Sequence, residues 1–201
     1  RGVEIDLARA VALWEQAAAA GDPLASLNLG TMYLAGDGLP EDPARARALI
    51  ETAAAAGLPR ARYVLAKMQL EGVGGPADPA AAFSNMTAAA TAGLARAQYN
   101  LGKLHRDGIG TAADAAQAAA WFGRAAVRGH GPAQRNYGRR LAAGDGIARD
   151  EVEALKWLLL AAAREVEEAD GLAAALRAQM SADAIATAEA RAAAFVPLDD
   201  R

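Results

Sequence analysis

Residues Gly93 to Gly129 read GLARAQYNLGKLHRDGIGTAADAAQAAAWFGRAAVRG, and this stretch decides the fold. It holds two helix-length segments separated by Gly108-Ile109-Gly110 and closed at each end by a glycine. The same punctuation recurs every 36 residues. Gly21, Gly57, Gly93 and Gly129 form one series, Gly36, Gly72, Gly108 and Gly144 a second, and Gly2, Gly38, Gly74, Gly110 and Gly146 a third. Asp6, Asp42, Asp78, Asp114 and Asp150 keep the same register, as do Ala25, Ala61, Ala97 and Ala133. Columns in register over four or five copies identify a tandem repeat, in which each unit buries its apolar face only by stacking on its neighbours.

Each column has a physical reading. Aspartate accepts hydrogen bonds from the unpartnered N–H groups of a helix start, so the Asp series predicts N-caps. Pro43 and Pro79 follow directly, at the position where proline opens a helix, and Asp150 with Glu153 resembles a capping box. The Gly21 series supplies left-handed helix ends. A second helix (B) is therefore expected at about 7–20, 43–56, 79–92, 115–128 and 151–168. A first helix (A) is expected at about 23–35, 59–71, 95–107 and 132–143. Gly30, Ala66, Gly102 and Gly138 share a column in A, as do Ala17, Ala53, Ala89, Ala125 and Ala161 in B, so A and B are expected to cross closely. Leu29, Leu65, Leu101 and Tyr137 in A, and Trp14, Ile50, Met86, Phe122 and Leu158 in B, are the expected core.

Composition agrees. The chain is 53% hydrophobic, much of it alanine, the strongest helix former, and only 5% aromatic. It contains no cysteine, which excludes disulfides, cysteine metal sites and thiol catalysis. The formal net charge of −3 does not suggest a nucleic-acid binder. No run of about 18 apolar residues without charge suggests a membrane span.

At this point the residues resemble the Sel1-like repeat. Ala25, Asn28-Leu29-Gly30, Tyr33, Gly36-Asp37-Gly38, Asp42, Ala46 and Ala53-Ala54-Ala55-Ala56-Gly57 follow its pattern. So do Ala97, Asn100-Leu101-Gly102, Gly108-Ile109-Gly110, Asp114, Ala118, Trp121-Phe122 and Ala125-Ala126-Val127-Arg128-Gly129. The second unit departs at Val64, Ala66 and Asn85, and the fourth has Glu165 where the closing glycine belongs, so its B helix is expected to continue to about Asp170. The resemblance implies an all-α, right-handed α/α solenoid of helix-turn-helix repeats, related to tetratricopeptide repeats. The array is expected over 1–170: a truncated first repeat at 1–22, then repeats at about 23–57, 58–93, 94–129 and 130–168. C-terminal capping helices and a tail are expected over 171–201, with Met180-Ser181 leading into the closing helix. Because Arg1-Gly2-Val3 reads as an A-to-B loop, a longer parent protein is expected.

The same resemblance implies a function of holding other proteins, as a bacterial regulatory or envelope-associated scaffold or adaptor. No enzyme activity, catalytic residue, metal or cofactor is expected. The compartment stays open between periplasmic or secreted and cytoplasmic, with the resemblance leaning to the periplasm. His105 and His130 read as structural, and Ser26, Ser84 and Ser181 have no histidine and acid suggested beside them. Two other readings remain: a penicillin-binding or hydrolase-type activity, suggested for some relatives, and a structural segment of a larger protein. Carried over from tetratricopeptide repeats, the groove-lining positions fall on Leu27 and Leu34 in the first unit and on Arg60, Tyr63 and Lys67 in the second. They fall on Arg96, Tyr99, Lys103 and Arg106 in the third and on Arg135 and Arg139 in the fourth. These positions carry seven basic residues, against the acids Glu71 and Asp107 in the same columns. The expected partner is another protein or peptide, acidic or carboxylate-bearing, and neither a nucleic acid nor a membrane.

Overall fold

A computed structural model describes residues 7–198. Asp6, expected to cap the first B helix, and the Arg1-Gly2-Val3 loop lie outside the described residues. Among the described residues there are eleven helices and no strand. They are α1 (Leu7–Ala19), α2 (Pro23–Ala35), α3 (Pro43–Ala55), α4 (Pro59–Glu71), α5 (Pro79–Thr91), α6 (Ala95–Asp107), α7 (Ala115–Val127), α8 (Gly131–Ala143), α9 (Glu151–Ala162), α10 (Ala169–Arg177) and α11 (Ala182–Ala193). The helices form two compact units that divide between Ala92 and Gly93. In each unit, consecutive helices pack as antiparallel pairs: α1 on α2, α2 on α3, α3 on α4 and α4 on α5 in the first, and α6 on α7, α7 on α8 and α8 on α9 in the second. This is an all-α solenoid of helix-turn-helix repeats.

The helix ends obey the columns. Asp42, Asp78, Asp114 and Asp150 each accept a hydrogen bond from the backbone N–H three residues on, at 2.9–3.0 Å. Their own N–H groups donate back to the preceding A helix, to the carbonyls of Tyr33, Gln69, His105 and Leu141 at 2.8–3.0 Å. Each aspartate thus fastens the A-to-B loop at both ends. That second bond also corrects the expected capping box. The Asp150 N–H is already taken by Leu141, and the Glu153 carboxylate turns away to Lys156 at 3.1 Å and Arg191 at 2.7 Å.

Close packing explains the small-residue column in helix A. A Cβ at Gly102 would lie 2.8 Å from Phe122, at Gly30 2.7 Å from Ile50, and at Gly138 2.9 Å from Leu158. The residues they face, Ile50, Phe122 and Leu158, are expected B-helix core and are buried, as is Met86 in the same column. The second repeat holds Ala66 in this column and the unbranched Met86 in the B-helix column. Trp14, in the same column of α1, is only half-buried.

The fourth B helix does not continue to Asp170. α9 ends at Ala162, and Glu165 itself adopts φ 55°, the left-handed conformation that Gly21, Gly57, Gly93 and Gly129 take at φ 79–97°. The turn geometry of the repeat therefore overrides the side chain's preference. α10 and α11 then pack on α9. Phe195 meets Trp157 edge-on at 5.2 Å, and the Leu198 N–H donates to the Val127 carbonyl at 2.9 Å, so the tail covers the end of the second unit.

Candidate functional site

The basic A-helix positions sit on regular 13-residue helices whose starts and stops are fixed by backbone chemistry, so their spacing is dependable. In the first unit, Arg60 and Lys67 are exposed on α4 and Tyr63 is half-buried between them. Leu34 is half-buried. Leu27 is 4% exposed and belongs to the core, so it presents nothing to a partner. The tetratricopeptide-derived position fails at Leu27 because α2 is apolar nearly all round and turns that side chain inward, while Leu24, carried over from the same pattern, is 52% exposed.

In the second unit, Arg96, Tyr99, Lys103 and Arg106 step along α6 at three- and four-residue intervals, which places them on one face. Arg96 and Arg139 are exposed, and their side chains make no hydrogen bond or ion pair among the described residues. Lys103, in the same repeat column as Arg139, is half-buried with its ammonium 5.9 Å from the centre of the Tyr99 ring. The other contacts of Tyr99 are Phe122 at 5.7 Å and the His130 imidazole at 4.8 Å, so the ring is partly committed to packing. Arg106 binds both oxygens of Asp107 at 2.7 and 2.8 Å. That hydrogen bond holds the Asp107 carboxyl below the usual carboxylate range and raises the guanidinium. Arg135 is drawn toward the α9–α10 turn, donating to the Glu167 carbonyl at 3.1 Å and lying 3.6 Å from the Glu168 carboxylate. Arg106 and Arg135 are thus compensated within the chain. Arg60, Lys67, Arg96, Lys103 and Arg139 are cations with no carboxylate partner among the described residues.

The sequence did not distinguish Asp22 or Arg140, and it marked His130 as structural without its capping role. Asp22 caps α2, accepting from Leu24 and Ala25 N–H at 2.8 and 3.1 Å. His130 occupies the same repeat column and caps α8, its Nδ1 accepting from Ala133 N–H at 3.3 Å. Arg140, 7% exposed, reaches the carbonyls of Ala115 and Asp145 and the Asp145 carboxylate at 2.9 Å, tying the fourth loop to the start of α7. No signal marked these roles, because each is a departure within its column. His105 is half-buried near the end of α6, and burial lowers its pKa against the opposing pull of Asp114. Among the described residues no group of three or more His, Asp or Glu side chains could hold a metal ion. Among the described residues no helix is long and apolar enough to cross a membrane.

The profile of the Sel1 repeat matches residues 1–22, 23–58, 59–94, 95–130 and 131–165. The chain belongs to the Sel1 repeat family. A Sel1 repeat protein from Oxalobacter formigenes is similar at 34% identity and a TM-score of 0.77, over 83% of this chain and 48% of that one. A protective antigen of uropathogenic Escherichia coli displaying the same repeat fold matches at 21% identity and a TM-score of 0.55, over 96% of this chain and 57% of that one. An immunity protein from Pseudomonas aeruginosa matches at 19% identity and a TM-score of 0.50, over 92% of this chain and 73% of that one. The last two likenesses concern the fold alone. This Sel1 repeat chain spans about half the length of the first two structures it matches. No curated protein matches it. Sel1 repeat proteins generally mediate protein–protein interaction and are typically non-enzymatic scaffolds.

Proposed function

We propose that this Sel1 repeat chain is a bacterial interaction scaffold whose A-helix faces bind an acidic or carboxylate-bearing segment of a partner protein, without catalysis. The observation that carries this reading is the set of cations on those faces that have no carboxylate partner of their own: Arg96, Lys103 and Arg139 in the second unit, Arg60 and Lys67 in the first. The chain as a whole is acidic, at −3, so this concentration of uncompensated positive charge in one set of columns is selective. Arginine binds carboxylates through paired donors, and half-buried Tyr63 and Tyr99 add packing area beside the charges. Attraction of this kind speeds association and weakens with salt. We also read the repeat array as extending to about residue 170, with residues 171–201 as its C-terminal cap.

The test is capture of partners from the source cell with the purified chain, followed by identification by mass spectrometry and measured affinity. Charge reversal at Arg96 and Arg139 together should abolish binding of a directly interacting partner. Unchanged affinity would overturn the reading. The absence of catalysis is checked separately with nitrocefin, where turnover by pure protein would contradict a scaffold-only role.

A further inference from the structure

The repeat places three side chains from two successive B helices and the A helix between them around one point, and the occupancy of that point differs along the chain. In the first unit, between α1, α2 and α3, it is filled by Tyr33 and Leu49. Tyr33 is buried, its hydroxyl 3.4 Å from Glu15 and its ring 4.7 Å beneath the Arg45 guanidinium. In the second unit, between α7, α8 and α9, it is filled by Tyr137 and Trp157, whose rings meet edge-on at 5.8 Å, with Lys156 4.3 Å over the indole. Between α3, α4 and α5 the same columns hold Gln69, Leu65 and Asn85. No aromatic ring is present, and an open notch of about 350 Å³ remains, lined by Ala54, Ala55, Arg62, Leu65, Gln69 and Asn85 beside Glu51.

The lining has a definite chemistry. Its floor is apolar, from Leu65 and Ala54. Asn85 donates to the Gln69 amide oxygen at 3.0 Å, which leaves the Gln69 amide hydrogens and the Asn85 oxygen for an incoming group. Glu51 is compensated by Arg47 at 3.0 Å. The half-buried Arg62 has no side-chain hydrogen bond or ion pair among the described residues. Its column holds Ser26, Gln98 and Gln134 in the other repeats, all buried, so a cation at this position is particular to the notch. Where the fold fills the equivalent space itself, it uses an aromatic ring with a cation over it. A ring so placed buries a large area at small entropic cost and gains from the cation.

We propose that the notch between α3, α4 and α5 seats one aromatic side chain of a partner protein, held against Leu65 and Ala54 with Arg62 over or beside its ring. This rests on the reading of the chain as a protein scaffold but not on its basic A-helix face. The partner's ring takes the place that Trp157 takes in the second unit. A single buried aromatic in a fitted pocket is the usual energetic anchor of a protein interface, and removing it costs about tenfold or more in affinity.

The experiment is a nitrogen-15 NMR titration of the full chain with N-acetyl-tryptophanamide, with N-acetyl-leucinamide as the control. The tryptophan compound should shift the side-chain amide signals of Asn85 and Gln69 saturably, at least severalfold more tightly than the leucine compound. Asn85→Trp, which fills the notch from within, should abolish the shift at the Gln69 amide. Ala55→Phe at the exposed rim should do the same, and serves if Asn85→Trp does not fold. Equal shifts from both compounds, no shift at the two amides, or shifts that survive both variants would overturn the proposal. An acidic peptide that still binds wild-type protein in that event would leave the basic-face reading standing and the notch alone refuted.

Discussion

At the residue scale, backbone capping accounts for the repeat's most regular features, and its effect is measurable. Asp114 holds the Gln117 N–H at 2.9 Å, so Asp114→Ala should lower unfolding free energy by about 1 kcal/mol in urea titrations, whereas Asp114→Asn should retain most of it. Glu165 is strained where its counterparts are glycine. A left-handed conformation costs a side-chain-bearing residue about 1–2 kcal/mol, so Glu165→Gly should raise Tm by a few degrees, whereas Gly129→Ala should lower it. The His105 pKa is depressed by burial, so the unfolded chain takes up the proton more readily than the folded one. The stability this contributes is complete above the unfolded value of about 6.5 and is lost as pH falls through the lower folded value. Thermal unfolding from pH 7.5 to 5 should therefore show an acid-side loss in wild type that His105→Leu, the residue found at Leu141 in the same column, reduces. The recurring aspartates were legible in the sequence because repetition separates a cap from chance. Asp22 and His130 cap with no such support, and the Glu165 turn was illegible because local preference argues against it.

At the scale of helices, packing distance decides which substitutions the repeat tolerates. The Gly102 backbone approaches Phe122 so closely that an added methyl would sit 2.8 Å from the ring. Gly102→Ala should cost about 1–3 kcal/mol by overpacking. Phe122→Met should relieve part of that cost, since the second repeat holds Ala66 and Met86 in these two columns. A double-mutant cycle in urea reads the coupling, and strictly additive effects would contradict close crossing as the reason for the column. Helix positions were legible nearly to the residue, because glycine, proline and aspartate punctuate both ends of each element. The exception is α9. There the missing glycine read as a continuing helix, whereas packing of α10 and α11 against α9 maintains the turn. Side-chain direction was less legible. Leu27 followed the column rule for an outward face but is buried, because α2 has apolar residues on most sides and the column does not specify which of them face inward.

At the scale of the molecule, two sets of features serve different ends. The recurring columns specify caps, turns and crossings, and they account for stability. The varying columns carry whatever distinguishes this Sel1 repeat chain from others: the cations Arg60, Lys67, Arg96, Lys103 and Arg139, and the notch around Asn85. The basic columns were legible as composition. What composition could not show is that Arg106 and Arg135 are compensated by Asp107 and by the α9–α10 turn. The most direct test of the scaffold reading is the affinity of the full chain for a labelled ten-residue peptide of alternating glutamate and aspartate, beside its glutamine and asparagine counterpart, across a range of salt. The acidic peptide should bind at low salt, weaken steeply as salt rises, and be lost when Arg96 and Arg139 are reversed to glutamate. Equal affinity for the two peptides, or binding that survives the reversal, would contradict the scaffold reading.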